Sequence, residues 1–259
     1  MPEILEVEMY RRLAEQTVGR RITEALVPDA WFCRPHEPAE IVAAVTGQRI
    51  VAARRRGKLL LIDVTGGVCL GMRFGMTGRL ILDGRAAIDK LEYSSHRNDP
   101  AWDRFGLRFG RRGMLHINDP RRLGGVQLDP DEAILGPDAL TITQQELTAT
   151  LARSLAPVKA CLLDQHRVAG IGNLLADEVL WRAGIDPARP ASSLDGAQLT
   201  ALHDSLTTTL PELLERGGSH TGDLMADRSR SGRCPIDGAE LDRRTIGGRT
   251  TYSCPVHQR

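Results

Sequence analysis

No apolar run in this chain of 259 residues approaches the roughly 18 that a membrane-crossing helix needs, and Glu3, Glu6, Glu8, Arg11 and Arg12 break up the start too early for a secretory signal. A cytoplasmic protein with no membrane partner is expected. Internal repeats and low-complexity tracts are missing as well. Net charge is nearly absent: 34 Lys and Arg against 33 Asp and Glu leave +1, so bulk electrostatics do not announce a polyanionic partner. Cysteine pairs are scarce. Of the five cysteines, Cys33, Cys69 and Cys161 lie singly in apolar surroundings and read as reduced core thiols, so only Cys234 and Cys254 carry spacing information. What remains is an ordinary globular composition, 41% hydrophobic and 26% charged, long enough for two domains with cores of their own.

The distribution of charge says more than its sum. Arg54-Arg55-Arg56-Gly57-Lys58 and Arg121-Arg122 are compact basic runs, and Arg228, Arg230, Arg233, Arg243, Arg244 and Arg249 gather in the tail. They form either a polyphosphate footprint or a solvated face. The texture of the chain also changes. After a helical segment near residues 3–15, short apolar runs with turn punctuation predict strands over Arg21–Val27, Arg49–Ala53, Lys58–Val64, Val68–Met72, Arg79–Asp83, Phe105–Phe109, Met114–Ile117 and Val126–Leu128, the pattern of a sandwich or barrel. Helical periodicity follows in Gln144–Arg153, Val158–Asp164, Asn173–Ala183 and Gln198–Arg216. The expected organisation is an N-terminal domain over 1–130, a linker over 131–143, a helical domain over 144–218 and a polar hairpin over 228–259.

Three local features carry chemistry. If Met1 is removed, Pro2 becomes a free secondary amine beside Glu3; an α-amino group titrates near ~7.7–8, so much of it is nucleophilic at neutral pH. The plain alternative is a proline at the first position of a helix with acids in its first turn. Gly170-Ile171-Gly172-Asn173 stands between two helices, where it is either a phosphate-binding turn or a simple corner. Cys234-Pro235-Ile236-Asp237 and Cys254-Pro255-Val256-His257, with sixteen residues between Asp237 and Cys254, have the intervals of a four-ligand zinc ribbon in which Asp and His replace two cysteines. A ribbon held without metal is the competing reading.

Together these pieces resemble the formamidopyrimidine-DNA glycosylase/endonuclease VIII family, in the family's order from Pro2 to His257. Pro2-Glu3-Ile4-Leu5-Glu6-Val7-Glu8 is similar to its PELPEVE start, with Leu5 in place of the second proline. Arg55-Arg56-Gly57-Lys58 resembles the segment of its essential lysine, Phe74-Gly75-Met76-Thr77-Gly78-Arg79-Leu80 its LGMSGxL loop, and Asp119-Pro120-Arg121-Arg122-Leu123-Gly124 its DPRRFG. Leu135-Gly136-Pro137, Val168–Asn173 and Gly248–Cys254 are similar to its linker, its helix–two-turn–helix signature and its arginine-bearing zinc hairpin.

The resemblance implies an α+β fold: an N-terminal β-sandwich with a first helix, a helix–two-turn–helix domain and a zinc-ribbon-like hairpin. It implies a monomeric, nucleoid-associated bifunctional glycosylase/AP lyase that removes oxidised bases from damaged double-stranded DNA and nicks the strand by β,δ-elimination. Pro2 attacks C1′ of the damaged nucleotide, Glu3 moves protons at the sugar, and Lys58 binds the flanking phosphate and assists proton transfer. Met76, Arg121 and Leu123 fill the gap left by the extruded base, Asn173 and Arg249 grip phosphates, Arg249 also donates a proton in δ-elimination, and Lys159 contacts DNA near the damaged strand. Cys234, Asp237, Cys254 and His257 hold structural zinc; no organic cofactor is expected.

Two departures bear on the lesion. Only fifteen residues separate Gly218 from Cys234, so the longer loop that folds over 8-oxoguanine is largely missing, and Trp102 and Arg104 stand where that branch has histidines. Action mainly on oxidised pyrimidines or abasic sites is therefore an alternative. A non-catalytic damaged-DNA binder is disfavoured by the presence of Pro2, Glu3 and Lys58 together. A proline tautomerase is disfavoured by the arginine distribution and the paired-ligand tail.

Overall fold

The computed structural model describes residues 2–88, 91–92, 97–111 and 113–259. Met1, whose removal is expected, lies outside the described residues. The chain forms two compact units, one of Glu6–Glu132 with Pro2 and one of Ala133–Arg259 with Glu3–Leu5.

In the first unit, helix α1 (Ile4–Glu15) is followed by strand β1 (Glu24–Leu26), helix α2 (Pro38–Val45) and strands β2 (Ile50–Arg56), β3 (Leu59–Val64), β4 (Cys69–Arg73), β5 (Arg79–Leu82), β6 (Arg85–Ala86), β7 (Asp103–Arg108), β8 (Met114–Asn118) and β9 (Gly125–Leu128). They pair as antiparallel sheets in the orders β1-β7-β8-β5-β6 and β2-β3-β4-β9. One core joins them. Leu60, Ile62, Leu70 and Met72 of one sheet meet Leu80, Leu82, Phe105 and Ile117 of the other, with Val7, Tyr10 and Ala14 of α1 in the same cluster. The expected strands all form. Helix α2 is an addition to the expected elements: its eight residues are too few for a periodic signal, although Pro38 at its start and the reciprocal Glu37/Glu40 cap mark it locally. Pro2 and Glu3 precede α1 and are both buried, which excludes the plain reading of Pro2 as a first helical residue.

The second unit packs helices α3 (Gln144–Leu151), α4 (Val158–Leu163), α5 (Asn173–Arg182) and α6 (Gly196–Arg216) around Leu147, Leu151, Leu162, Leu175, Val179 and Leu206, with Ile4 and Leu5 in the same core. Thr143 with Glu146 and Asp195 with Gln198 close capping boxes at the starts of α3 and α6. The chain ends in a hairpin of β10 (Asp242–Ile246) and β11 (Arg249–Ser253), tight across Gly247-Gly248, above a small cluster of Trp181, Leu224, Cys234, Leu241 and Cys254. Sandwich, helical bundle and hairpin together make an α+β fold.

Candidate functional site

Glu3 is a fully enclosed acid of the second unit's site. Its side chain is 0% exposed, and its carboxylate accepts the N–H groups of Gly172 at 2.8 Å, Leu174 at 2.9 Å and Leu175 at 3.2 Å. These are orphan donors at the start of α5, where a carboxylate is also favoured by the helix dipole. A side chain on Gly172 would overlap the Glu3 carboxylate, so only glycine permits this approach. The Gly170–Asn173 turn is thus largely committed to Glu3. Asn173 keeps unspent groups: its backbone N–H has no partner among the described residues, and neither has its Oδ1.

Asn173 donates through Nδ2 to the Thr250 carbonyl at 3.0 Å, which brings it beside Arg249, the exposed first residue of β11. Lys159 reaches the same strand, bonding Thr251 Oγ1 at 2.7 Å. Here the structure corrects the expectation. Lys159 is 0% exposed and its ammonium lies 2.6 Å from the equally buried Asp177, so it fastens the hairpin to the helices and does not present itself to DNA. Burial pulls this ammonium below the usual lysine range, against the opposing charge of Asp177. Asp177 also accepts the Tyr252 N–H at 3.2 Å and pairs with Arg228, so one carboxylate ties three separate stretches together. Nothing in the sequence marks Asp177 and Arg228 as partners, because 51 residues separate them and neither belongs to a motif.

At the base of the hairpin, Cys234, Asp237, Cys254 and His257 bring their ligand atoms within 4.8 Å of one another. Asp237 Oδ2 lies 3.1 Å from both Cys254 Sγ and His257 Nδ1, and His257 Nδ1 is 3.4 Å from Cys234 Sγ. The edges of a tetrahedral site with normal metal–ligand bonds are about 3.3–3.8 Å. The second layer suits a metal too: the Trp181 carbonyl accepts from His257 Nε2 at 3.1 Å, which leaves Nδ1 with its lone pair, and Trp181 Nε1–H donates to Cys234 Sγ at 3.3 Å. Asp237 is held down at about 2, chiefly by the Ala239 N–H, so it is an ionised donor at neutral pH. These four residues could hold a metal ion.

In the first unit, the buried Pro2 precedes α1, and Lys58 sits half-buried in the two-residue turn between β2 and β3, where Arg56 pairs with Leu59. Arg55 braces that turn. Its guanidinium bonds the Gly57 carbonyl at 3.0 Å and Glu8 of α1 at 3.1 Å, with the arginine side chain only 8% exposed. Met76, Arg121 and Leu123 come from two loops that touch: a side chain on Gly75, which has φ +55°, would overlap the Leu123 backbone. Asp119 shapes the second loop from within. Fully buried, it accepts Thr77 Oγ1 at 2.6 Å and the N–H groups of Leu123 and Gly124, each at 2.9 Å. Arg104 Nε holds the Asp119 carbonyl at 2.9 Å, and Asp29 takes the Arg122 guanidinium at 2.6 and 2.7 Å, which also holds the Asp29 carboxyl below the usual range. Arg121 and Leu123 are left pointing outward, with Leu123 49% exposed.

Two arginines of the basic run are taken up by nearby acids. Arg54 forks onto Asp63 at 2.6 Å and Glu132 at 3.1 Å, and Arg55 is spent on Glu8, so these arginines are compensated within the protein and are no open polyphosphate footprint. The segment after Gly218 is tied down rather than extended as a flap. Glu178 of α5 accepts the N–H groups of Asp223 and Leu224, each at 3.0 Å, and Leu224 is 0% exposed.

The family model of the formamidopyrimidine-DNA glycosylase N-terminal domain matches residues 1–126, and that of the formamidopyrimidine-DNA glycosylase H2TH domain matches residues 135–225. A formamidopyrimidine-DNA glycosylase of Cereibacter sphaeroides is 36% identical over 288 aligned positions, with 100% of both chains covered; against 259 residues here, that relative carries insertions this chain lacks. Among solved structures, a complex of the Lactococcus lactis protein with an abasic-site DNA has a TM-score of 0.83 at 26% identity, covering 99% of each chain. A complex of the same protein with a FAPY-dG DNA has a TM-score of 0.84 at 27% identity, covering 99% of this chain and 100% of the other. The chain belongs to the formamidopyrimidine-DNA glycosylase/endonuclease VIII family and is a DNA glycosylase of base-excision repair.

Proposed function

We propose that the chain is a bifunctional DNA glycosylase and AP lyase acting through Pro2. The free prolyl amine attacks C1′ of an extruded nucleotide, the C1′–N bond to the damaged base breaks, and opening of the C1′–O4′ bond leaves an iminium that acidifies the C2′ proton; loss of that proton expels the 3′ phosphate, and loss of the C4′ proton from the conjugated iminium then expels the 5′ phosphate. Glu3 moves the sugar protons, Lys58 holds a flanking phosphate, and Asn173 with Arg249 grips the backbone, Arg249 also supplying the δ-elimination proton. The observation that carries this reading is Glu3, whose carboxylate three backbone N–H groups fix next in sequence to Pro2. Borohydride trapping on an abasic duplex, followed by a cleavage panel of oxidised purines and pyrimidines, tests it. No covalent adduct would leave a damaged-DNA binder. The enzyme acts as a monomer in the cytoplasm, at the nucleoid when bound to DNA.

A second reading of the lesion, oxidised pyrimidines or abasic sites as main substrates, is favoured by one observation. The short segment between Gly218 and Cys234 is bonded to Glu178 and has no length to spare for covering a base. The panel separates the two, since a pyrimidine-preferring enzyme excises 8-oxoguanine slowly.

Met76 and Leu123 act as wedges in place of the extruded base. Stacking contacts of this kind are worth about 1–3 kcal/mol each, so Met76→Ala and Leu123→Ala slow excision from duplex by about 5- to 150-fold while cleavage at a pre-formed abasic site loses much less. Equal losses on both substrates would make them supports of the fold. Arg121→Ala shifts the preference for the opposite base, because its guanidinium alone in the trio can bond a base edge.

Zinc is the ion we assign to Cys234, Asp237, Cys254 and His257, whose mixed S, N and O donors suit it. Metal analysis is expected to find about one zinc per chain. His257→Ala lowers that content and weakens duplex binding together with Arg249→Ala, because the hairpin presenting Arg249 depends on the site. An active, zinc-free protein indifferent to chelator would establish a ribbon held by packing alone.

A further inference from the structure

Beside the outward-pointing Leu123 lies a basic surface that the proposed reaction leaves without a role. A depression of about 220 Å³ is lined by Arg34, Arg73, Leu123, Gly124, Val126 and Gln127, with no acidic residue among its walls. It is smaller than the roughly 300–1,000 Å³ of small-molecule sites, and has the scale of a phosphate and part of its sugar. Neither arginine is compensated. Arg34 stacks 3.9 Å from the centre of the Trp31 ring, and Arg73 bonds the neutral Gln127 at 3.0 Å; neither has an ion-pair partner among the described residues. Other arginines of this unit differ, since Arg54, Arg55 and Arg122 are all held by carboxylates. Trp31, an apolar ring that folding would ordinarily cover, is 53% exposed.

This surface is built onto the wedge loop. Asp29 accepts the Trp31 N–H at 3.2 Å while holding Arg122, and the Phe32 ring lies against Gly124 closely enough that a side chain there would meet it at 2.8 Å. Arg34 and Trp31 therefore keep a set distance from Arg121 and Leu123. Two uncompensated guanidinium groups and an open indole form a combination suited to a nucleic-acid backbone with an adjoining base.

We propose that Arg34 and Trp31 hold the DNA strand opposite the lesion, Arg34 on a phosphate seated in the depression and Trp31 against the nucleotide next to the orphaned base. The strand assignment rests on the glycosylase reading, in which Arg121 and Leu123 occupy the gap facing that base. Removing one phosphate contact lowers the slope of log K against log salt by about 0.9. Arg34→Ala is thus expected to lose that slope on a duplex containing an uncleavable abasic analogue, Arg34→Lys to restore it, and Trp31 fluorescence, isolated by comparison with Trp31→Phe, to be quenched on binding. Methylphosphonates at the complementary-strand phosphates beside the orphaned base should abolish the difference in affinity between the unaltered protein and Arg34→Ala. An unchanged salt slope, an unquenched Trp31, or an Arg34 dependence that survives those methylphosphonates and vanishes with lesion-strand ones overturns the proposal. Borohydride trapping run alongside separates the two readings: intact trapping with no Arg34 effect sinks only this surface, whereas no trapping and no duplex affinity in the unaltered protein sinks the glycosylase/lyase reading itself.

Discussion

Borohydride trapping on abasic duplex falls to background when Met1 is retained ahead of Pro2, because the amine becomes an amide whose lone pair is delocalised and no longer attacks carbon. Binding to a duplex with an uncleavable abasic analogue serves as the control. Trapping at the unaltered rate with Met1 demonstrably in place would remove Pro2 from the mechanism. Pro2→Gly, which keeps an α-amine, is expected to trap more weakly yet measurably. Glu3→Gln needs more care than its chemistry suggests. The carboxylate accepts three N–H groups, and an amide has only one oxygen to offer them, so an NH₂ group must face a donor. Hydrogen bonds to a charged group contribute about 1.5–3 kcal/mol each, so this variant loses stability as well as base release. Its kinetics are to be read at a temperature where folding is complete.

The largest loss of stability is expected from Asp177→Ala. It leaves the fully buried Lys159 and the nearly buried Arg228 without their shared counter-charge, and breaking a buried pair in this way costs about 3–5 kcal/mol. The hairpin carrying Arg249 loosens with it, since the Tyr252 N–H also loses its acceptor. Denaturant unfolding measures the stability and salt-dependent duplex binding the hairpin. The triple variant Asp177→Leu, Lys159→Met and Arg228→Met should recover much of the loss, because it removes all three charges and fills the space with apolar volume. If the triple variant is as unstable as Asp177→Ala, charge pairing is not what Asp177 contributes. Lys159→Met alone would strand Asp177 with Arg228, and is expected to fall between the two.

The ordering of elements was legible because it rests on local patterns. Alternating apolar runs such as Lys58–Val64 and helical periods such as Gln144–Arg153 depend on which neighbours each residue has in the chain, and the structure places β3 and α3 there. Helix α2 escaped because two turns are too short to show a period. The cluster that could hold a metal was legible for a similar reason: paired intervals in a hairpin bring Cys234, Asp237, Cys254 and His257 together with little help from the rest of the fold.

What an arginine or a lysine does was not legible, since it depends on which carboxylate the fold brings to it. Arg54 meets Glu132 across 78 positions, Arg122 meets Asp29 across 93, and Lys159 bonds Thr251 across 92, so residues alike in sequence become braces while Arg34 stays uncompensated. Glu3 is the sharpest case. Its place beside Pro2 made it a candidate from the sequence alone, but its attachment to the start of α5, nearly 170 residues away, needs the close approach that Gly172 permits. Composition, periodicity and motif spacing by themselves determined the order of the longer strands and helices and the residue types available for chemistry. Only the tertiary structure decided which charges are neutralised and which face outward, because ion pairing and desolvation act through space over a few ångströms and take no account of separation along the chain.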